Sequence, residues 1–197
     1  MRLIAITGGI GSGKSVVSSI VRIMGHEVYD CDSRAKALMI HNDEVRQLLI
    51  DAFGNETYLG DGSLNREHLS AIAFSNDETL ARLNGIVHPA TARDMIHWAK
   101  EQADRGNEAA VVETALLRTA GLDRLVDEVW HVTAPASVRI QRVMARSGLS
   151  EPQVAERIAA QSVEETVAPG EHTIINDNVC AVLPQVLQLL KKEQQKL

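Results

Sequence analysis

Aromatic residues make up only 3% of this 197-residue chain, and that scarcity removes one class of function at the outset. Proteins that grip single-stranded nucleic acid stack bases on aromatic side chains. Two tryptophans, two tyrosines and two phenylalanines supply no such platform, so the core must be aliphatic. A basic stripe is also missing. The formal net charge of −6 opposes the electrostatic footprint of a nucleic-acid partner. No apolar run approaches the roughly 18 residues of a membrane span. The few apolar residues after Arg2 are too short for a secretory signal, so a cytoplasmic protein with neither membrane nor nucleic-acid partners is expected. Cys31 and Cys180 make neither a disulfide framework nor a zinc spacing. There is no internal repeat, low-complexity tract or long linker, and the length suits one sizeable core with an inserted subdomain or lid.

What is present starts directly after Leu3, Ile4, Ala5 and Ile6. Residues 8–15 read Gly-Gly-Ile-Gly-Ser-Gly-Lys-Ser, the Walker A pattern G-x-x-x-x-G-K-[ST], set between a strand and a helical repeat. The glycines Gly8, Gly9, Gly11 and Gly13 let the backbone curl and direct successive N–H groups at phosphate oxygens from the head of a helix. Lys14 is expected to neutralise the β and γ phosphates of a nucleoside triphosphate, and the Ser15 hydroxyl to ligate Mg²⁺. A glycine-rich turn that happens to carry a lysine is the competing reading.

The organisation follows from spacing. Val16, Val17, Ile20, Val21 and Met24 form one helical stripe closed by Gly25, and a strand is expected over residues 27–30. A strand, loop, helix, strand unit of this kind implies a parallel sheet. From Asp32 to about Gln102 the pattern is mostly helical. Val45, Leu48, Leu49, Ala52 and Phe53 make a stripe ending at Gly54, residues 57–59 allow one short strand, and a long helix is expected over 91–103 after Pro89. Buried strands are expected at 109–114 and 128–134, and a last strand at 172–176. Pro135 can open a helix with Val138, Ile140, Val143 and Met144 as its apolar positions. Ser150-Glu151-Pro152-Gln153 is a capping box for a helix carrying Val154, Ile158 and Ala159. Val182, Leu183, Val186, Leu187 and Leu190 mark a C-terminal helix. The expected architecture is a three-layer α/β domain around a five-stranded parallel sheet. Its core takes residues 1–32, 107–138 and 168–197, with a helical insertion at about 33–105 and a lid at about 139–167.

Several side chains stand where chemistry is expected. Asp30 and Asp32 lie at the carboxyl end of the second strand, the edge where ligands bind in open parallel sheets, and in extended backbone both face the same side. Asp32 is the preferred base for an attacking hydroxyl, and Asp30 a partner to it or to a Mg²⁺-bound water. Capping of the helix near Ser33 is the plainer reading of Asp30. Arg139, Arg142 and Arg146 share one helix face, and residues 129–150 hold no acid, which suggests an anionic ligand that Arg157 could join. In nucleoside kinases such a segment closes over the transferring phosphoryl group and excludes water. Plain surface charge is the alternative. His88, before Pro89, is a substrate-site candidate or a structural histidine. Glu113 ends the third strand on the side of a Mg²⁺-binding acid, and Asn176-Asp177-Asn178 follows the last strand, where base contacts and turn chemistry fit equally well. Asp51-Ala52-Phe53-Gly54 looks like a GTPase switch, but its apolar neighbours follow helical spacing and no N-K-x-D guanine motif exists.

Taken together, the chain resembles the dephospho-coenzyme A kinase family over nearly its full length. The opening Thr7-Gly-Gly-Ile-Gly-Ser-Gly-Lys-Ser15, Asp30-Cys-Asp32, Val87-His88-Pro89, Gln141-Arg142 through Arg146, Arg157-Ile158 with Gln161, and Ile174-Ile175-Asn176 match family landmarks in order. The resemblance implies a P-loop kinase fold and transfer of the γ phosphate of ATP, with Mg²⁺, to the ribose 3′-hydroxyl of dephospho-coenzyme A, the last step of coenzyme A synthesis. By position it implies Asp32 as base, Gly11, Ser12, Gly13, Lys14, Ser15 and Val16 with Gly9 as the ATP loop, and Arg142 and Arg146 as lid arginines. Asn176 is the expected base-side contact, and Asp30, Asp32, His88 and Arg157 are the expected substrate contacts, with the helical insertion implied to hold the coenzyme A precursor. One segment departs. The family's Asp-x-Pro-Leu-Leu-Phe-Glu is Glu113-Thr-Ala-Leu-Leu-Arg-Thr119 here, without the proline or the terminal acid, and Val16 stands for a frequent threonine. Other P-loop small-molecule kinases, of nucleoside monophosphate or shikimate type, and a non-enzymatic nucleotide-dependent switch are the alternative readings.

Overall fold

A computed structural model describes residues 1–73 and 75–191 of the chain. Its centre is built from the apolar runs. β1 (Arg2–Thr7) is buried from Leu3 onward, β3 (Ala109–Glu113) is buried up to Val112, and β4 (Glu128–Thr133) is buried at Trp130, His131 and Val132. Strands buried on both faces read as continuous apolar runs rather than as alternation, which is how a parallel sheet shows itself in sequence. With β2 (Val28–Asp30) and β5 (His172–Ile175) they form one five-stranded parallel sheet in the order β2-β3-β1-β4-β5. Register sets Ile4 beside Val111, Ile6 beside Glu113, Thr7 beside His131 and Val132 beside Ile174.

The sheet is the middle of three layers. On one face Ile4, Ile6, Val111, Trp130, Val132 and Ile174 pack against Val17 and Val21 of α1 (Lys14–Ile23) and against Val186 and Leu189 of α8 (Val182–Lys191). Each side chain so enclosed contributes about 1.5–3 kcal/mol over leaving it in water. The opposite face, with Leu3, Ala5, Ala110 and Val112, is equally shut off from solvent. The α1 stripe is narrower than its sequence suggests: the seam runs through Val17, Ser18 and Val21, leaving Val16 48% and Met24 47% exposed. Leu48, Met144 and Leu183 likewise flank their seams and are exposed. Gly25, at φ 90°, ends α1 as expected, with the amides of Gly25 and His26 turned back to Arg22 and Val21.

Residues Asp30–Lys100 form a compact unit of their own, and the remaining chain forms the other. The helical unit contains α2 (Cys31–His41), α3 (Asp43–Phe53), α4 (Arg66–Ala73) and most of α5 (Asp77–Asp104). Val45, Leu49, Phe53, Leu69 and Ala90 make its centre. The short strand expected at 57–59 reduces to a 3-10 turn (Asn55–Thr57) and a single antiparallel bridge between Tyr58 and Leu64. Tyr58 donates to the Met39 carbonyl at 2.6 Å beneath the Arg46 guanidinium, 4.0 Å from the ring centre. Pro89 does not begin a helix but sits inside α5. The carbonyl that a proline ring displaces belongs to the residue four back, here Gly85, and both residues are exposed, so water can take the freed bond.

Beyond β4, Pro135 sits at the N-cap of α6 (Ala136–Ser147), and Ser150 opens α7 (Glu151–Ala160), its amide held by Gln153 Oε1 at 2.9 Å. A 3-10 turn (Ser162–Glu165) follows. The core range expected at 168–197 runs past Lys191, and residues 192–197 lie outside the described residues. Among the described residues no helix is long and apolar enough to cross a membrane.

Candidate active site

The loop between β1 and α1 is held in a curl from three directions. Gly13 is the N-cap of α1 at φ 95°, a left-handed conformation, and a Cβ on it would collide with Asn176 Nδ2. Asn176, buried just after β5, donates that Nδ2 to the Ser12 carbonyl at 2.8 Å. From α6, Arg142 donates Nη1 to the carbonyls of Gly11 (3.3 Å) and Ser12 (3.4 Å), and Nη2 to Asn176 Oδ1 (3.2 Å) and to Asn178. Arg142 and Asn176, far apart in sequence, meet at the loop, where both donate to its main-chain carbonyls. Lys14 folds back so that Nζ donates to the carbonyls of Gly8 at 2.8 Å and Gly9 at 3.3 Å.

This cradle fits a polyphosphate. The first amides of a helix have no intrahelical acceptor, and together with the helix dipole they favour an anion at the head of α1. Ser15 is exposed in that first turn, where its hydroxyl could take one Mg²⁺ position. Among the described residues no three His, Cys, Asp or Glu side chains cluster as a metal cage. Val16 is exposed beside Ser15.

Arg139 corrects the expectation of an unpaired arginine face. It is 6% exposed, its Nε donates to the Ile10 carbonyl at 2.8 Å, and Nη2 lies 2.6 Å from Glu165 Oε1 as an ion pair. Gln161 Oε1 accepts the Ile10 amide at 2.7 Å. Arg146, one turn along α6, and Arg157 on α7 are exposed and take no part in these contacts to the loop. The acid-free stretch pointed to an anion because the neutralising acid, Glu165, lies outside it.

Glu113 ends β3, half-buried and in register with Ile6 beside the loop. The altered segment behind it is tied down by acids from the stretch between α7 and β5. Buried Glu164 accepts the amides of Arg118 (3.1 Å) and Thr119 (2.8 Å), and Glu171 accepts Arg118 Nη2 at 2.5 Å. Sequence reasoning missed Glu164 and Glu171, although the unusual Arg118-Thr119 pair marked the place where they act. His131, 3% exposed on β4, faces this group, and burial holds its pKa below the ordinary histidine value, with Glu171 pulling the other way.

In the helical unit, α2 begins at Cys31, so Asp32 occupies its first turn and is exposed rather than continuing an extended pair with Asp30. Asp30 is the cap: Oδ1 accepts the Ser33 amide at 3.1 Å and Oδ2 the Ser33 hydroxyl at 2.8 Å. Arg34 forks onto Asp94 with two 2.8 Å bonds. His88 is half-buried on α5, and burial lowers its pKa.

The chain is similar to known proteins over nearly its whole length. Residues 2–181 match the family model for dephospho-CoA kinase. The dephospho-CoA kinase of Porphyromonas gingivalis is 39% identical over 198 residues, covering 100% of this chain and 96% of that protein. The crystal structure of TT1252 from Thermus thermophilus is 32% identical with a TM-score of 0.76, over 100% of this chain and 97% of that one. The dephospho-CoA kinase of Campylobacter jejuni, at 23% identity and a TM-score of 0.71 over 98% of both chains, shares the fold. With the phosphate loop, its Arg142 and Asn176 supports and a family match that spans almost every residue, the chain belongs to the dephospho-CoA kinase family.

Proposed function

We propose that this enzyme transfers the γ phosphate of ATP to the ribose 3′-hydroxyl of dephospho-coenzyme A, giving coenzyme A and ADP. The observation that carries the reading is the Gly11–Ser12–Gly13 backbone, curled by Asn176 and Arg142 at the head of α1. Such a loop has one strong use, to hold a triphosphate by main-chain amides. Gly9, Gly11, Ser12, Gly13, Lys14 and Ser15 form the nucleotide cradle with Val16 at its lip, Lys14 would meet the phosphate oxygens, and the Ser15 hydroxyl would hold Mg²⁺. Bound there, Mg²⁺ would neutralise phosphate charge.

Asp32 is the proposed base. Parallel strands deliver their ends to one edge, so β2 leaves the sheet on the same edge as β1, and Asp32 follows β2 by two residues. In a loose transition state its role is to orient the hydroxyl and take its proton. Asp30 supports it by capping α2. The proposed substrate contacts are Asp30, Asp32, His88 and Arg157. We assign the helical insertion of about 33–105 to the coenzyme A precursor and a lid of about 139–167, carrying Arg142 and Arg146, to the phosphoryl group. The core is then residues 1–32, 107–138 and 168–197. A cytoplasmic setting fits the free thiols of Cys31 and Cys180.

The test is an acceptor panel with coupled ADP detection. ADP should form with dephospho-coenzyme A and not with nucleoside monophosphates or shikimate, and phosphorus NMR should place the new phosphate on the 3′-oxygen. Asp32→Asn should retain ATP binding and lose about 10²- to 10⁴-fold in kcat. Turnover of another acceptor in preference, or of none, refutes the reading.

A further inference from the structure

The tip of the phosphate loop is Ile10, and both of its backbone polar groups are taken by side chains from one region of the chain. Gln161 accepts its N–H at 2.7 Å, and Arg139 Nε donates to its C=O at 2.8 Å. Two fixed bonds on one residue set the orientation of the peptide units on either side, and those units decide where the following amides point. The loop is moulded to the same group: a Cβ on Gly9 would collide with Arg139 Nη2 and stand 2.7 Å from Glu165 Oε1, and one on Gly11 would stand 2.8 Å from the Arg139 carbonyl. A buried guanidinium needs a counter-charge, and Glu165 at 2.6 Å provides it.

From this geometry we propose that Arg139, neutralised by Glu165, is a positioning residue for the nucleotide reaction, acting through Ile10 and not through phosphate. This rests on the kinase reading above, but one arm of its test does not need turnover. The planar guanidinium presents separate nitrogens to Ile10 and to Glu165, whereas a lysine gathers its donors on one nitrogen and cannot reproduce that fork. A phosphate-touching arginine would behave differently, because an ammonium group still attracts phosphate.

The experiment compares Arg139→Gln, Arg139→Lys and Glu165→Gln with the unaltered protein. Calorimetric titration with Mg·ADP is read first, and the KM values for ATP and for dephospho-coenzyme A second, with thermal unfolding measured throughout. Arg139→Gln and Arg139→Lys should both weaken ADP binding at least tenfold and raise the KM for ATP to match, while the acceptor KM stays within twofold. Glu165 is only partly buried, so Glu165→Gln should fold and shift the same quantities in the same direction, about threefold or more. Recovery of ADP affinity by lysine would assign Arg139 to the phosphates and overturn the proposal. So would a loss of thermal stability in Glu165→Gln or either Arg139 variant with nucleotide affinity unchanged. Absence of dephospho-coenzyme A turnover in the unaltered protein would count against the substrate assignment alone, since the ADP titration still reads the loop.

Discussion

Gly13 and Asn176 compete for the same space, and that competition can be weighed. Gly13→Ala places a Cβ in a left-handed conformation at φ 95°, at a cost of about 1–2 kcal/mol. The same Cβ collides with Asn176 Nδ2 and expels the side chain, so the buried Ser12 carbonyl loses its 2.8 Å bond and Arg142 loses one acceptor. The displaced Asn176 amide, buried and parted from both Ser12 and Arg142, costs about 1–3 kcal/mol more. The single variant should therefore lose about 2–5 kcal/mol. In an Asn176→Ala background the collision no longer exists, and Gly13→Ala should cost only its conformational strain, about 1–2 kcal/mol. The assay is urea unfolding followed by Trp130 fluorescence in a Trp98→Phe background, because Trp130 shares its core with α1. The double variant should be less destabilised than the sum of the singles by at least 1 kcal/mol or so, well beyond the roughly 0.5 kcal/mol scatter of independent sites. Additivity within that scatter would show that Asn176 does not press on the loop.

Other parts of the molecule make separate demands. Glu164→Ala strips the part-buried amides of Arg118 and Thr119 of their carboxylate acceptor and should destabilise the sheet unit by about 1–3 kcal/mol, read by the same unfolding assay, while Glu164→Gln, which keeps one acceptor, should lose less. Pro89→Ala restores an amide donor to the Gly85 carbonyl within α5 and should stabilise the helical unit by about 1–2 kcal/mol, measured as a shift in urea midpoint at constant slope. His131 is held neutral by burial, so the unfolded chain takes up its proton first as pH falls through about 6.5. Stability should be full above that value and decline below it, by at most about 1.4 kcal/mol per pH unit for this group. His131→Asn should flatten the decline between pH 6.5 and 5.5, and an unchanged slope would mean that His131 titrates normally.

How much of this could be read beforehand depends on the distance over which each signal acts. The strands, the Gly25 and Ser150 helix boundaries and the glycine loop were legible because each is set by residues within one turn or one strand of itself. The Asp30 cap was legible too, as one of two readings, and only the position of the α2 start decided between them. Pro89 misled because a local rule, that proline interrupts helices, was overridden by an exposed Gly85 carbonyl that water can satisfy. Arg139 shows the harder case. Periodicity placed it correctly on the same face as Arg142, yet one turn of helix separates a guanidinium that touches Gly11 and Ser12 from one locked onto Ile10 and Glu165. The acid that decides this lies beyond α7, and no window along the chain contains both partners and the loop they serve. A charge pattern thus reports which residues share a face, whereas the partner that turns charge into support is fixed only when β1, α6 and the turn after α7 meet. Glu164 and Glu171 follow the same rule: the unusual Arg118-Thr119 pair could be seen as a departure, but two amides and a guanidinium awaiting acids are visible only in three dimensions.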